Sequence, residues 1–193
     1  MVTHHARLSR SYGRRWLAIG KRTETVRYGG LDLSLSPGIA AIDVRDRVPY
    51  LVAAASLGTS TADNDAVRSL TVESFIAQFI YANRPFNCWL REDFTSGRNK
   101  RATQTIFSAW AAADRALHTY GYRVDDVKPA LSPTAVKKLV SGNGKAEKDE
   151  VAAHVRRILR LDPDYKFAAG YDDSDAAAVV LAYLIRERLI DAC

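Results

Sequence analysis

At 193 residues, 47% hydrophobic and 26% charged, the chain has the composition of a globular domain long enough to bury a core. No run approaches the ~18 apolar residues of a bilayer-crossing helix, and two cysteines, Cys88 and Cys193, are too few for a disulfide framework. The formal net charge is +6 and unevenly spread: residues 7–27 carry many arginines and lysines against the single acid Glu24, with further basic clusters at Ser96–Arg101 and Lys137–Lys148. Several separate basic segments suit a long polyanion such as nucleic acid. The N-terminal stretch has no apolar core of signal-peptide type, so a reducing, cytoplasmic setting and no membrane association are expected.

Residues 1–28 read as a basic extension and 29–193 as one folded domain. Three short segments rich in β-formers, "LDLSLS", "GIAAIDVR" and "PYLVAAASL", are separated by tight turns and predict an antiparallel meander. "GTSTADND" supplies a capping loop for a helix over Ala66–Asn83, with Val72, Phe75, Ile76, Phe79 and Ile80 on one face. "NRP" ends that helix, because the residue before proline resists the α conformation. "FNCWLRE" follows as a fourth strand, and the intervening helix makes a crossover, so this strand pairs parallel to the first.

A second helix is predicted over Ala102–Tyr120, with Ile106, Trp110, Ala113, Leu117 and Tyr120 on one side. "YRVDDVKP" reads as a short fifth strand. "LSPTAVKKLVSG" has Ser132 as cap, Pro133 in the first helical position and Gly142 as the stop. "AEKDEVAAHVRRILRL" is a further amphipathic helix, "DPDYKFAAG" a loop, and a final alanine-rich helix opens at Asp172. Strands first, then alternation, give an α/β class: a five-stranded mixed sheet flanked by helices.

Three aspartates, Asp172, Asp173 and Asp175, open that last helix. Carboxylates favour helix N-termini, so the cluster alone decides nothing. Other acids do bear on it. Asp32 lies among apolar residues in a strand expected to be central, where a carboxylate is costly to bury without compensation. Glu92 ends the neighbouring fourth strand, with Asp93 beside it. Acids converging in one cleft repel unless cations intervene, and two divalent ions ~3.5–4 Å apart would remove the conflict. Oxygen ligands without imidazole or thiolate point to Mg²⁺ or Mn²⁺. Asp172 and Asp175, three apart, share a helix face, whereas Asp173 points elsewhere as a cap or a solvated charge.

The succession "GLDLSLSPGIA", "CWLREDF", "VKKLVSGNGKAEKDEV" and "DDSDAAA" resembles the RuvC family of Holliday junction resolvases, especially its bacteriophage members, over about residues 29–190. The resemblance implies an RNase H-like fold, a homodimer and symmetric, Mg²⁺-dependent nicking of four-way DNA junctions with two ions per active site. It carries the metal-binding, catalytic acids onto Asp32, Glu92, Asp172 and Asp175. In "VKKLVSGNGKAEK" it places the two catalytic lysines at Lys137 and Lys148. Glu73, in "LTVESF", also lies among apolar residues; choosing it would leave no crossover helix and no role for "FNCWLRED", so Glu92 is preferred.

In this scheme Lys137 and Lys148 contact phosphates near the cut. Arg98, Lys100, Arg101, Lys138 and Lys145 hold the flanking backbone. Phe94 is nearest to the family's aromatic wedge, displaced by one position, and would stack on an unpaired base. Two departures bear on sequence preference: the loop after Asp32 is not glycine-rich, and the basic extension has no counterpart. Symmetric nicking requires two sites about a twofold axis, hence a homodimer. The alternatives are a branched-DNA binder that does not cut, and a related nuclease acting on other branched DNA or structured RNA. "DLSLSPG" also resembles the phosphate loop of sugar and acetate kinases, but those close two such domains on a nucleotide. No nucleotide cofactor is expected.

Overall fold

The structure, a computed structural model, describes residues 24–93 and 100–191. Strands β1 (Val26–Asp32), β2 (Gly38–Arg45) and β3 (Val48–Ser56) form the antiparallel meander, and α1 (Asp65–Asn83) crosses over to β4 (Cys88–Arg91). Helices α2 (Lys100–Thr119), α3 (Pro133–Ser141), α4 (Lys148–Ile158) and α5 (Asp172–Arg186) follow. The strand order is β3-β2-β1-β4, with β1 antiparallel to β2 and parallel to β4. β1 is therefore interior to the sheet, as the crossover argument requires.

The sheet's two faces are covered by different helices, and strand periodicity assigns each side chain to a face. Leu31, Ile39, Ala41 and Trp89 pack with α1 and α2 in one apolar cluster. Tyr28, Ala40, Ile42, Val44 and Leu90 pack with α3, α4 and α5 in the other. α5 is buried almost all round and lies directly on β1 and β2. Two glycines allow that approach: a Cβ on Gly30 would come within 2.2 Å of the Ala176 carbonyl oxygen, and one on Gly38 within 1.8 Å of that of Asp172.

Local signals fixed several boundaries as expected. Ser132 caps α3 by accepting the Ala135 N–H, whereas α1 is capped by Asn64, which accepts the Val67 N–H in place of the loop's threonines and aspartates. Pro133 stands in the first turn of α3, and Gly142 ends it in the left-handed region at φ 80°. No helix among the described residues is long and apolar enough to cross a membrane.

Two strand predictions need correction. β1 begins at Val26 and stops at Asp32, five residues upstream of the predicted "LDLSLS". Its Gly29–Gly30 pair weakens the strand signal, yet is required by packing, because a Cβ on Gly29 would collide with the Trp89 ring at 2.3 Å. The predicted fifth strand does not form; the sheet has four strands among the described residues. Within "YRVDDVKP", Asp125 donates its N–H to the Trp89 carbonyl at 2.8 Å, while its carboxylate accepts the Trp89 N–H at 2.8 Å. A side chain thus replaces a backbone acceptor, and the segment closes the β4 edge without extending a ladder.

Candidate active site

Alternation along β1 puts Tyr28, Gly30 and Asp32 on the α5 face, and alternation along β4 sends Leu90 and then Glu92 to the same side. Both carboxylates emerge where their parallel strands end. The first turn of α5 delivers Asp172 and Asp175 to the same place, because the glycine contacts let its N-terminus sit against β2. A cavity of about 390 Å³ is lined by Asp32, Ser34, Glu92, Lys137, Lys148, Asp172 and Asp175, with Pro133, Val136, Val151 and Ala178 as its apolar wall. One carboxylate oxygen from each of Asp32, Asp172 and Asp175 lies within 4.8 Å of the others.

The electrostatics carry the strain of that convergence. Burial, then the Asp175 charge and that of Asp172, push the Asp32 carboxyl up to about 7, with Lys148 opposing. Burial, reinforced by Asp32 and Asp175, pushes Glu92 up to about 8. Asp175 is also raised by burial, though Lys148 partly offsets it. Lys148 is the main relief: its Nζ lies 2.8 Å from Asp172 Oδ1, 2.9 Å from Asp175 Oδ2 and 3.0 Å from the Gly170 carbonyl oxygen. Lys137 borders the cavity from α3 and donates to the Ala146 carbonyl at 2.7 Å.

Asp173 takes neither a solvated nor a metal-facing position. It is 5% exposed and accepts the backbone N–H groups of Ala168 and Ser174, tying the preceding loop to the start of α5. The helix-terminus explanation of the aspartate cluster therefore suits Asp173, while Asp172 and Asp175 face the cavity.

Glu73 lies elsewhere, on α1, paired with Arg115 of α2 at 2.7 Å. Lys100, Arg101, Lys138 and Lys145 are exposed, and Arg101 lies 3.5 Å from Asp65. Phe94 and Arg98 lie outside the described residues. Sequence reasoning missed Ser34, Gly30 and Gly38, whose importance appears only once α5 is placed. It also missed Arg91, which points to the opposite face from Glu92. Its guanidinium stacks on Trp110 with 3.8 Å to the ring centroid and pairs with Asp114 at 2.8 Å. That stack ties the end of β4 to α2.

Chemically, the donor set is all carboxylate oxygen, brought together from the end of β1 and the first turn of α5, with no imidazole or thiolate in the group. Such a set fits a hard divalent cation. It also fits the raised carboxyls, since only added positive charge lets buried neighbouring acids ionise together.

Comparison with known proteins agrees with this geometry. The family described as crossover junction endodeoxyribonuclease RuvC matches residues 109–183, the stretch from α2 into α5. The crossover junction endodeoxyribonuclease RuvC of Thermobifida fusca is 30% identical over 159 residues, covering 81% of this chain and 83% of the relative. The chain belongs to the RuvC family. The RuvC of Orientia tsutsugamushi is 24% identical over 161 residues, covering 83% of this chain and 96% of its own length. Among solved structures, T. thermophilus RuvC in complex with Holliday junction substrate superposes with a TM-score of 0.70 at 23% identity. That match covers 85% of this chain and 96% of the other. The RNase H-like fold of RuvC is thus the fold of this protein.

Proposed function

We propose that the protein is a metal-dependent endonuclease that resolves four-way DNA junctions by paired symmetric nicks. The observation that carries this reading is the gathering of Asp32, Asp172 and Asp175 within 4.8 Å, with Glu92 on the same cavity wall and two lysines at its rim. The curated relatives are named crossover junction endodeoxyribonucleases, and a similar fold is known bound to a Holliday junction. A pure DNA binder gains nothing from acids facing phosphate.

Asp32, at the end of the interior strand β1, would hold the Mg²⁺ ions together with Glu92, Asp172 and Asp175. When bound, the ions would supply a nucleophilic water at neutral pH and stabilisation of the departing oxygen. The chain's own residues do the rest. α5 and the ends of β1 and β4 hold the carboxylates rigidly, so little reorganisation accompanies charge development. Lys137, held by the Ala146 carbonyl, presents positive charge at the cavity rim to the phosphate being cut. Lys138, Lys145, Lys100 and Arg101, with Arg98, would neutralise flanking phosphates, setting affinity and salt sensitivity more than sequence choice. Phe94 would stack at the branch point. A homodimer would place two such sites about a twofold axis, one for each opposed strand.

The test is cleavage of a synthetic four-way junction beside linear duplex and a Y-fork, with and without Mg²⁺. Paired nicks confined to the junction and dependent on Mg²⁺ are expected. Tight junction binding without nicking under any divalent ion would make the protein a binder, and preferential cutting of the fork would assign a different branched substrate.

A further inference from the structure

The two lysines at the cavity are held in different ways. Lys137 donates to a backbone carbonyl and forms no ion pair among the described residues. Lys148 directs its ammonium at Asp172, Asp175 and the Gly170 carbonyl, all within 3.0 Å. Two of the ammonium's three donors go to Asp172 and the Gly170 carbonyl, and its charge is also in ion-pair contact with Asp175. In that position the charge of Lys148 is committed to the acid cluster and its adjoining loop.

The two aspartates it grips are also two of the three that form the candidate metal group. A dication and an ammonium drawing on one carboxylate pair a few ångströms apart repel each other strongly in a half-buried site. The side chain is 49% exposed and sits on a flexible four-carbon stem, so it can leave the carboxylates without disturbing the core. Its backbone opens α4 and stays in place when the ammonium swings.

We propose that Lys148 is a resident counter-ion of the acid cluster which a divalent cation displaces, so that cation binding frees its ammonium for the phosphodiester. The inference rests on the metal-site reading above and adds an ordering to it. The lysine holds the acids together until the cation arrives, and only then becomes available to substrate. Lys137, which acts on Glu92 and Asp175 only through space and is hydrogen-bonded to the Ala146 carbonyl, undergoes no such exchange.

Calorimetric titration of the full-length protein with Mn²⁺, without DNA, tests the competition. Lys148→Met keeps the stem and removes the charge, and it is expected to bind Mn²⁺ about tenfold tighter or more, because the cation no longer displaces a neighbouring charge. Lys137→Met should change affinity far less. Unchanged or weaker binding by Lys148→Met, with wild-type binding intact, overturns the proposal. If the wild type and the variant both fail to take up Mn²⁺, the metal-site reading falls and takes the proposal with it.

A second measurement does not depend on how the variant folds. Pulse acetylation of the wild type, read by peptide mass spectrometry, should show Lys148 reacting severalfold faster with Mg²⁺ present, while Lys137 keeps its rate. A Lys148 rate that stays level or falls on adding Mg²⁺ contradicts displacement.

Discussion

Two aspartates sit on adjoining strands of one sheet, each flanked by apolar residues, and the fold treats them in opposite ways. Asp43, on β2, is 1% exposed and clasped by two arginines, with Arg27 Nε at 2.6 Å and Arg45 at 3.0 Å. Its hydrogen bond from Arg27, against the cost of burial, holds its carboxyl below the usual range. Asp32, at the end of β1, has no arginine partner among the described residues, and burial with the facing acids raises its carboxyl to about 7. The first is a closed structural ion pair. The second is an open electrostatic debt that a cation from outside can settle. A buried carboxylate becomes functional when the fold denies it a permanent partner.

The largest expected effect is on the open site. Asp32→Asn should reduce junction cutting by about a thousandfold or more while leaving the fold intact, as gel assays and circular dichroism would show. Glu92→Gln should fall in the same class. Asp43→Ala inverts the pattern: it leaves the partly buried Arg27 without its carboxylate partner and should cost about 3 kcal/mol in urea denaturation, with cutting per folded molecule retained. A stable Asp43→Ala, or an active Asp32→Asn, would break the contrast.

The contrast also sets opposite pH slopes. For Asp32 and Glu92 the folded state keeps its proton to higher pH than the unfolded chain. The unfolded state therefore binds fewer protons, and stability without divalent cation falls as pH rises from about 4 to about 8. Asp43 is depressed, so its contribution is present above the unfolded value and is lost as pH falls below about 4. Denaturation across pH in EDTA should show the neutral-side decline flattened by Asp32→Asn and the acid-side loss removed by Asp43→Ala.

Much of this was readable from sequence, and the failures have physical causes. Caps at Ser132 and Gly142, the crossover helix and the parallel fourth strand follow from local chemistry, and they suffice to bring Asp32 and Glu92 to neighbouring strand ends. Asp32 and Asp43 look alike at that level. Both are aspartates among apolar residues, and what distinguishes them is Arg27, which lies in a stretch whose composition reads as a basic extension. The start of β1 was hidden by Gly29 and Gly30, chosen for the close approach of Trp89 and α5 and not for strand propensity. The predicted fifth strand was lost to one side chain, Asp125, taking a backbone role.

The smallest effect sharpens the comparison at its edge. Glu73 resembles Glu92 in sequence context but pairs on the surface with Arg115, which is 53% exposed. Glu73→Gln should leave cutting within about twofold of wild type and cost less than about 1 kcal/mol.

The most direct measurement is an anomalous difference map from crystals of the protein grown or soaked with Mn²⁺. Cation density bounded by Asp32, Asp172 and Asp175 and reaching toward Glu92 is expected. Cation density elsewhere, in a protein that still cuts junctions, would contradict that.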